Sequence, residues 1–153
     1  MGVGNTAQFV IGGKITPHAP GPLVAEGVVQ SLHTGEFYRT GRSSSICRIG
    51  KTAVIRFGGL DIIVCEEPAS TGDPQIFRGF GIEPTVYDLI IVKANTSFRA
   101  PYSKFTTDFC MGDTPGVGAA NLHLFHWEHL PKGMYPFDLP EDYELEKADI
   151  LRG

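Results

Sequence analysis

Two glycines, Gly58 and Gly59, separate two six-residue runs, Thr52–Phe57 and Leu60–Cys65, in which apolar side chains alternate. A glycine pair tolerates the positive φ of a two-residue turn, so this stretch predicts a tight antiparallel hairpin. The alternation puts Ala53, Ile55 and Phe57 on one face of the first strand, and Leu60, Ile62 and Val64 on one face of the second. Strands are expected upstream as well, over Ala7–Ile11, over Leu23–Leu32 with Gly27 as a bulge, and at Phe37-Tyr38. The first 66 residues therefore read as an antiparallel meander.

The second half reads differently. Asp73-Pro74 supplies a capping residue followed by proline at a first helical position. It predicts a short helix over Gln75–Phe80 that Gly81 stops. Asp88–Lys93 carries the apolar run Leu89-Ile-Ile-Val92 and is expected as a buried strand. Phe98, Tyr102, Phe105 and Phe109 then recur at helical spacing. A second apolar exit into Asp113-Thr114-Pro115-Gly116 completes the pattern of a βαβ unit. The expected class is α+β or mixed α/β: a meander followed by βαβ, in a single domain of short helices over residues 1–138, then an acidic tail over 139–153.

Charge supports that division. The net charge of −4 arises from Asp138, Glu141, Asp142, Glu144, Glu146 and Asp149 set against Lys147 and Arg152, which leaves residues 1–137 neutral. Such a balance gives no basic track for nucleic acid. No apolar run approaches the roughly 20 residues needed to cross a bilayer, so no membrane partner is expected. Cys47, Cys65 and Cys110 are odd in number and form no CxxC pair. Cys65 and Cys110 lie in apolar surroundings and are expected to be buried thiols, which fits a cytoplasmic protein.

Parallel strands send their carboxy-terminal loops to one sheet edge, where ligands of open α/β sheets bind. The two loops of the expected βαβ unit bring together Lys93, Thr96, Ser97, Arg99, Asp113 and Thr114. Lys93 and Arg99 would present cations to a carboxylate or phosphate, with Arg able to bind in bidentate fashion. Thr96, Ser97 and Thr114 would donate hydrogen bonds, and Asp113 would orient a cation. The same residues also suit a purely structural role, Asp113 pairing with Arg99 or Lys93 while Thr114-Pro-Gly turns the chain. Asn95-Thr96-Ser97 is a glycosylation sequon in form; without a secretory signal it reads as part of this loop.

His123, His126 and His129 drift around any helix that holds them, and Phe125 stands where an H-x-x-E-H zinc motif ending at His129 needs histidine. No metal ligands are assigned in this chain. The segment reads as an aromatic-rich surface or a cover for a sheet edge. His18 and His33 sit in turn contexts and are expected to face solvent.

The words GKTAVIRFGGLDIIVCEEP, DPQIFRGFGIEP, IIVKANTSFRAPY, DTPG and MYPFD occur one after another in an order that resembles the carboxy-terminal domain of the MlrC (microcystinase C) family of zinc metallopeptidases. The resemblance covers about residues 3 to 138. It implies a metal-dependent peptide or amide hydrolase of the kind that degrades microcystin. The family's zinc ligands belong to a larger amino-terminal domain, so zinc is expected there and no cofactor here. On this reading the chain is a detached carboxy-terminal domain that needs a separately encoded amino-terminal metallopeptidase domain, or self-associates, and is inactive alone. Two departures stand out: the family domain's opening Asp-Asn-Pro and glycine-rich segment is missing, and Ser97 stands where many relatives carry histidine before Phe-Arg. The alternative is a non-enzymatic module that binds a small anion or a protein partner.

Overall fold

The computed structural model describes residues 1–14, 21–40, 44–94, 96–112, 114 and 121–137. The chain divides into two units, Met1–Gly112 and Asp113–Gly153. The acidic tail lies outside the described residues.

The first unit is built on antiparallel strands: β1 (Thr6–Ile11), β2 (Leu23–His33), β3 (Glu36–Arg39), β4 (Ser45–Arg48), β5 (Thr52–Phe57) and β6 (Leu60–Cys65). Four of them form a sheet in the order β1-β2-β5-β6, and β3 pairs with β4 in a separate two-stranded ladder. The hairpin predicted at Gly58-Gly59 forms in the expected register, Phe57 opposite Leu60 and Thr52 opposite Cys65. Gly58 adopts φ +61°, a conformation open to glycine at little cost. β4 carries no sequence signal strong enough to predict it; its four residues are held by pairing with β3.

The irregularity in β2 lies between Val29 and Ser31, not at Gly27. Gly27 serves close packing instead. A Cβ there would sit 2.7 Å from Phe57 Cε1 and 2.9 Å from Ile55 Cγ2. Residues opposed across antiparallel strands share a face, so Gly27, Val29, Ile55 and Phe57 belong to one side of the sheet. Val54, Ile63 and Cys65 point the other way, into a core with Phe37, Ile49, Ile76, Phe80 and Ile82. Phe80 is among the most deeply buried side chains and meets Phe37 edge-on at 5.8 Å. Burying a ring of this size contributes about 1.5–3 kcal/mol.

Helix α1 (Gln75–Arg78) delivers Ile76 to that core. Asp73 begins it as expected: its carboxylate accepts from Gln75 N–H at 3.0 Å and its carbonyl accepts from Ile76 N–H. Gly81, at φ +81°, ends the turn, with Ile82 N–H donating to the Phe77 carbonyl and Gly81 N–H to that of Arg78. A 3₁₀ turn, Pro84–Val86, comes next, capped by the Glu83 side chain.

The predicted βαβ unit does not form among the described residues. Asp88–Lys93 joins no ladder there. It is not a buried strand either, since Leu89 and Ile91 are 73% and 76% exposed. The expected helix through Phe109 shortens to α2 (Arg99–Tyr102). Pro101 lacks an N–H and so sits in the first turn, which fixes the start. Beyond it, Thr106 Oγ1 accepts from Asp108 N–H and turns the chain. The aromatic stripe nevertheless packs together, Phe98 against Tyr102 and Phe109, and Tyr102 against Phe105. No helix among the described residues is long and apolar enough to cross a membrane.

In the second unit, a 3₁₀ turn over Leu122–Leu124 is capped by Asn121. Trp127 Nε1–H donates to the Leu122 carbonyl at 2.9 Å, and Phe137 lies against both Trp127 and His123. The histidine segment is thus held by ring contacts among His123, Phe125, Trp127 and Phe137.

Candidate functional site

Four of the six predicted residues, Lys93, Thr96, Ser97 and Arg99, lie on one exposed ledge that leads into α2. The loop 71–73 braces this ledge. Thr71 Oγ1–H donates to the Lys93 carbonyl at 3.0 Å, and Tyr102 O–H donates to the Thr71 carbonyl at 3.0 Å. Between them Gly72 lies so close to the ledge that a Cβ there would meet Ser97 Oγ at 2.9 Å. Asp73, only 4% exposed, anchors the loop from below by accepting from Thr40 N–H at 2.9 Å as well as from Gln75. The end of β3, the start of α1 and the start of α2 therefore share one junction.

Burial, with the Asp73 carboxylate adding to it, raises the pKa of Tyr102 and keeps its hydroxyl protonated as a donor. The Arg99 guanidinium lies 5.5 Å from the Phe109 ring centroid and 5.8 Å from that of Phe98. Cation–π contact of this kind holds a guanidinium in place while its N–H groups stay available to an anion. Among the described residues neither Lys93 nor Arg99 pairs with a carboxylate. Other arginines do: Arg56 binds Asp61 through two hydrogen bonds, and Arg78 binds Glu83 likewise. The Arg56 hydrogen bonds hold the Asp61 carboxyl below its ordinary range, and Tyr87 O–H donates to the same carboxylate.

Asp113 lies outside the described residues. Thr114 is exposed and belongs to the second unit. The parallel strand pair that was to bring the two loops together is absent from the described residues. The bracing residues Thr71, Gly72 and Tyr102 carry no signal in the sequence beyond polarity and the aromatic stripe; Asp73 is legible as a helix cap. His33 is half-buried with its ring 5.1 Å from that of Phe80, a correction to its expected solvent position; His18 lies outside the described residues. Cys110 is exposed, not buried.

Among the described residues no group of three or more His, Cys, Asp or Glu side chains could hold a metal ion. Zinc therefore does not fit the residues described. A shallow cavity of about 330 Å3 at one end of the sheet, lined by Leu32, Thr52, Val64 and Glu66 among others, contains none of the ledge residues.

The family described as MlrC C-terminus matches residues 1–129. Microcystinase C of a Sphingomonas species is 25% identical over 137 residues, which cover 90% of this chain and 26% of that protein. The crystal structure of a "putative metallopeptidase" from Mesorhizobium sp. BNC1 shares the fold with a TM-score of 0.78, at 22% identity, over 92% of this chain and 28% of that one. The chain spans about a quarter of the length of these relatives.

Proposed function

This chain belongs to the MlrC C-terminus family, and from that premise we propose that it is a substrate-holding domain working beside a zinc-bearing metallopeptidase domain outside these residues. The observation that carries the reading is the braced ledge, which presents Lys93 and Arg99 without a carboxylate partner among the described residues.

The chemistry assigned to this chain is positioning. Arg99 binds a substrate carboxylate through its N–H fork, Lys93 adds a second cation, and the Thr96 and Ser97 hydroxyls donate hydrogen bonds beside them. Pre-stacking Arg99 on two rings lowers the entropy lost when an anion is bound. The substrate class is a carboxylate-bearing peptide or amide. The larger domain, outside these residues, holds the metal and completes the active site.

Metal analysis and a peptidase assay on the purified chain test this division of labour. The expected result is neither stoichiometric zinc nor turnover, even with zinc added. Turnover with one bound zinc per chain would refute it. A non-enzymatic anion-binding module would use the same ledge; it differs in keeping its affinity while no added metallopeptidase domain confers hydrolysis.

A further inference from the structure

We propose that β1 is the pairing edge of a homodimer, in which two copies join β1 to β1 in antiparallel fashion about a two-fold axis at Gln8. The first observation is the stagger of the sheet. β1 pairs with Leu23–Val28 of β2, whereas β5 pairs with Val28–His33. Among the described residues, Leu23–Glu26 therefore have a strand on one side only, and they extend past the β5–β6 hairpin as a two-stranded ribbon. Two strands alone are marginally stable in water. Val10, Leu23 and Val24 on this ribbon are 49%, 60% and 58% exposed.

The second observation is that β1 lacks the devices that keep edge strands apart. Thr6–Ile11 contains no charge, proline, glycine or bulge. The opposite edge, β6, differs: it carries Asp61, whose side chain is 5% exposed and locked to Arg56 and Tyr87. Inward-pointing charge of that kind protects an edge. Among the described residues β1 has β2 as its one strand neighbour.

The third observation fixes the register. Val29 N–H donates to the Asn5 carbonyl, so Asn5 bonds toward β2. Alternation then directs the backbone groups of Ala7, Phe9 and Ile11 toward β2, and those of Thr6, Gln8 and Val10 outward. The longest two-fold pairing of the outward groups sets Gln8 opposite its own copy and Thr6 opposite Val10 of the partner subunit. Every outward N–H and C=O is then used. On the opposite pleat this register puts Phe9 beside the partner's Ala7, a large side chain against a small one. Across β1, Phe9 already faces Ala25. Like charges never meet, because the strand has none. Two marginal ribbons become one four-stranded ribbon within a continuous eight-stranded sheet.

Sedimentation analysis of the full chain over low-micromolar to near-millimolar concentration tests the proposal. The expected species at high concentration has twice the 16.6 kDa chain mass. Gln8→Lys sets two cations opposite each other and should weaken association about fivefold or more. Gln8→Pro removes an outward N–H without touching the β1–β2 ladder and should leave monomer; circular dichroism checks that both variants fold. Amide hydrogen exchange on the wild-type chain gives a readout free of mutation: Thr6, Gln8 and Val10 should become protected as concentration rises. A wild-type chain that stays at monomer mass, a dimer that survives Gln8→Pro, or protection of these amides in the monomer by some other segment would each overturn the proposal.

Discussion

Gly27→Ala should destabilise the protein, although the same change in an unconstrained strand would stabilise it. Alanine restricts the unfolded chain and is worth about 0.5–1 kcal/mol where its backbone conformation is allowed. At position 27 the new methyl would lie 2.7 Å from Phe57 Cε1, 2.9 Å from Phe57 Cδ1 and 2.9 Å from Ile55 Cγ2. Ile55 is 4% exposed and has no room to withdraw, while the half-buried Phe57 ring can yield only by giving up its edge-on contact with Phe9. Overpacking of this order costs about 1–3 kcal/mol. The net loss is then about 1 kcal/mol, a fall in Tm of roughly 3–5 °C for a domain of this size. Urea unfolding of Gly27→Ala, Phe57→Leu and the double variant measures it. Trimming Phe57 should remove most of the alanine penalty, so the two changes couple by about 1 kcal/mol. A neutral or stabilising Gly27→Ala, or strict additivity with Phe57→Leu, would show that this close approach does not constrain the sheet.

Acid stability has a defined source. Arg56 depresses the Asp61 carboxyl, and Arg78 with the Thr85 N–H brings Glu83 down to about 2. A depressed carboxylate contributes stability that is present above its unfolded value, near 4, and is lost as pH falls through the folded value. Tm should therefore drop below about pH 4, and Asp61→Asn or Glu83→Gln should each flatten part of that decline in a melting series. Among the thiols, Cys110 is exposed, whereas burial raises the pKa of Cys65. A disulfide reagent at neutral pH should label Cys110 before Cys65, and Cys110→Ser should remove that early phase.

The elements legible in the sequence are those whose cause is local. Gly58-Gly59 between alternating runs dictates a hairpin, and Asp73, Pro74 and Gly81 bracket a short helix, whatever lies elsewhere in the chain. Asp88–Lys93 misled because an apolar β-branched run specifies an extended backbone but not a ladder partner, and a partner is a nonlocal fact. The spacing of Phe98, Tyr102, Phe105 and Phe109 gave true contacts through too long a helix, since Pro101 and Thr106 limit the helix more strongly than the stripe extends it. Lys93, Thr96, Ser97 and Arg99 were found together because they are neighbours in sequence. Their supports were not: the Thr71 and Tyr102 hydrogen bonds join residues 22 and 31 positions apart, and polarity alone does not announce such pairs.

The central claim is that the ledge at Lys93–Arg99 binds an anion. Titrating the isotopically labelled chain with an N-acetylated dipeptide and following backbone amide resonances tests it directly. The account predicts saturable shifts concentrated at Thr96–Arg99 and at Thr71–Gly72 behind them, with affinity lowered about tenfold or more in Arg99→Ala, the loss expected for a charge-assisted hydrogen-bonded contact. Shifts centred elsewhere, or undiminished binding by Arg99→Ala, would contradict it.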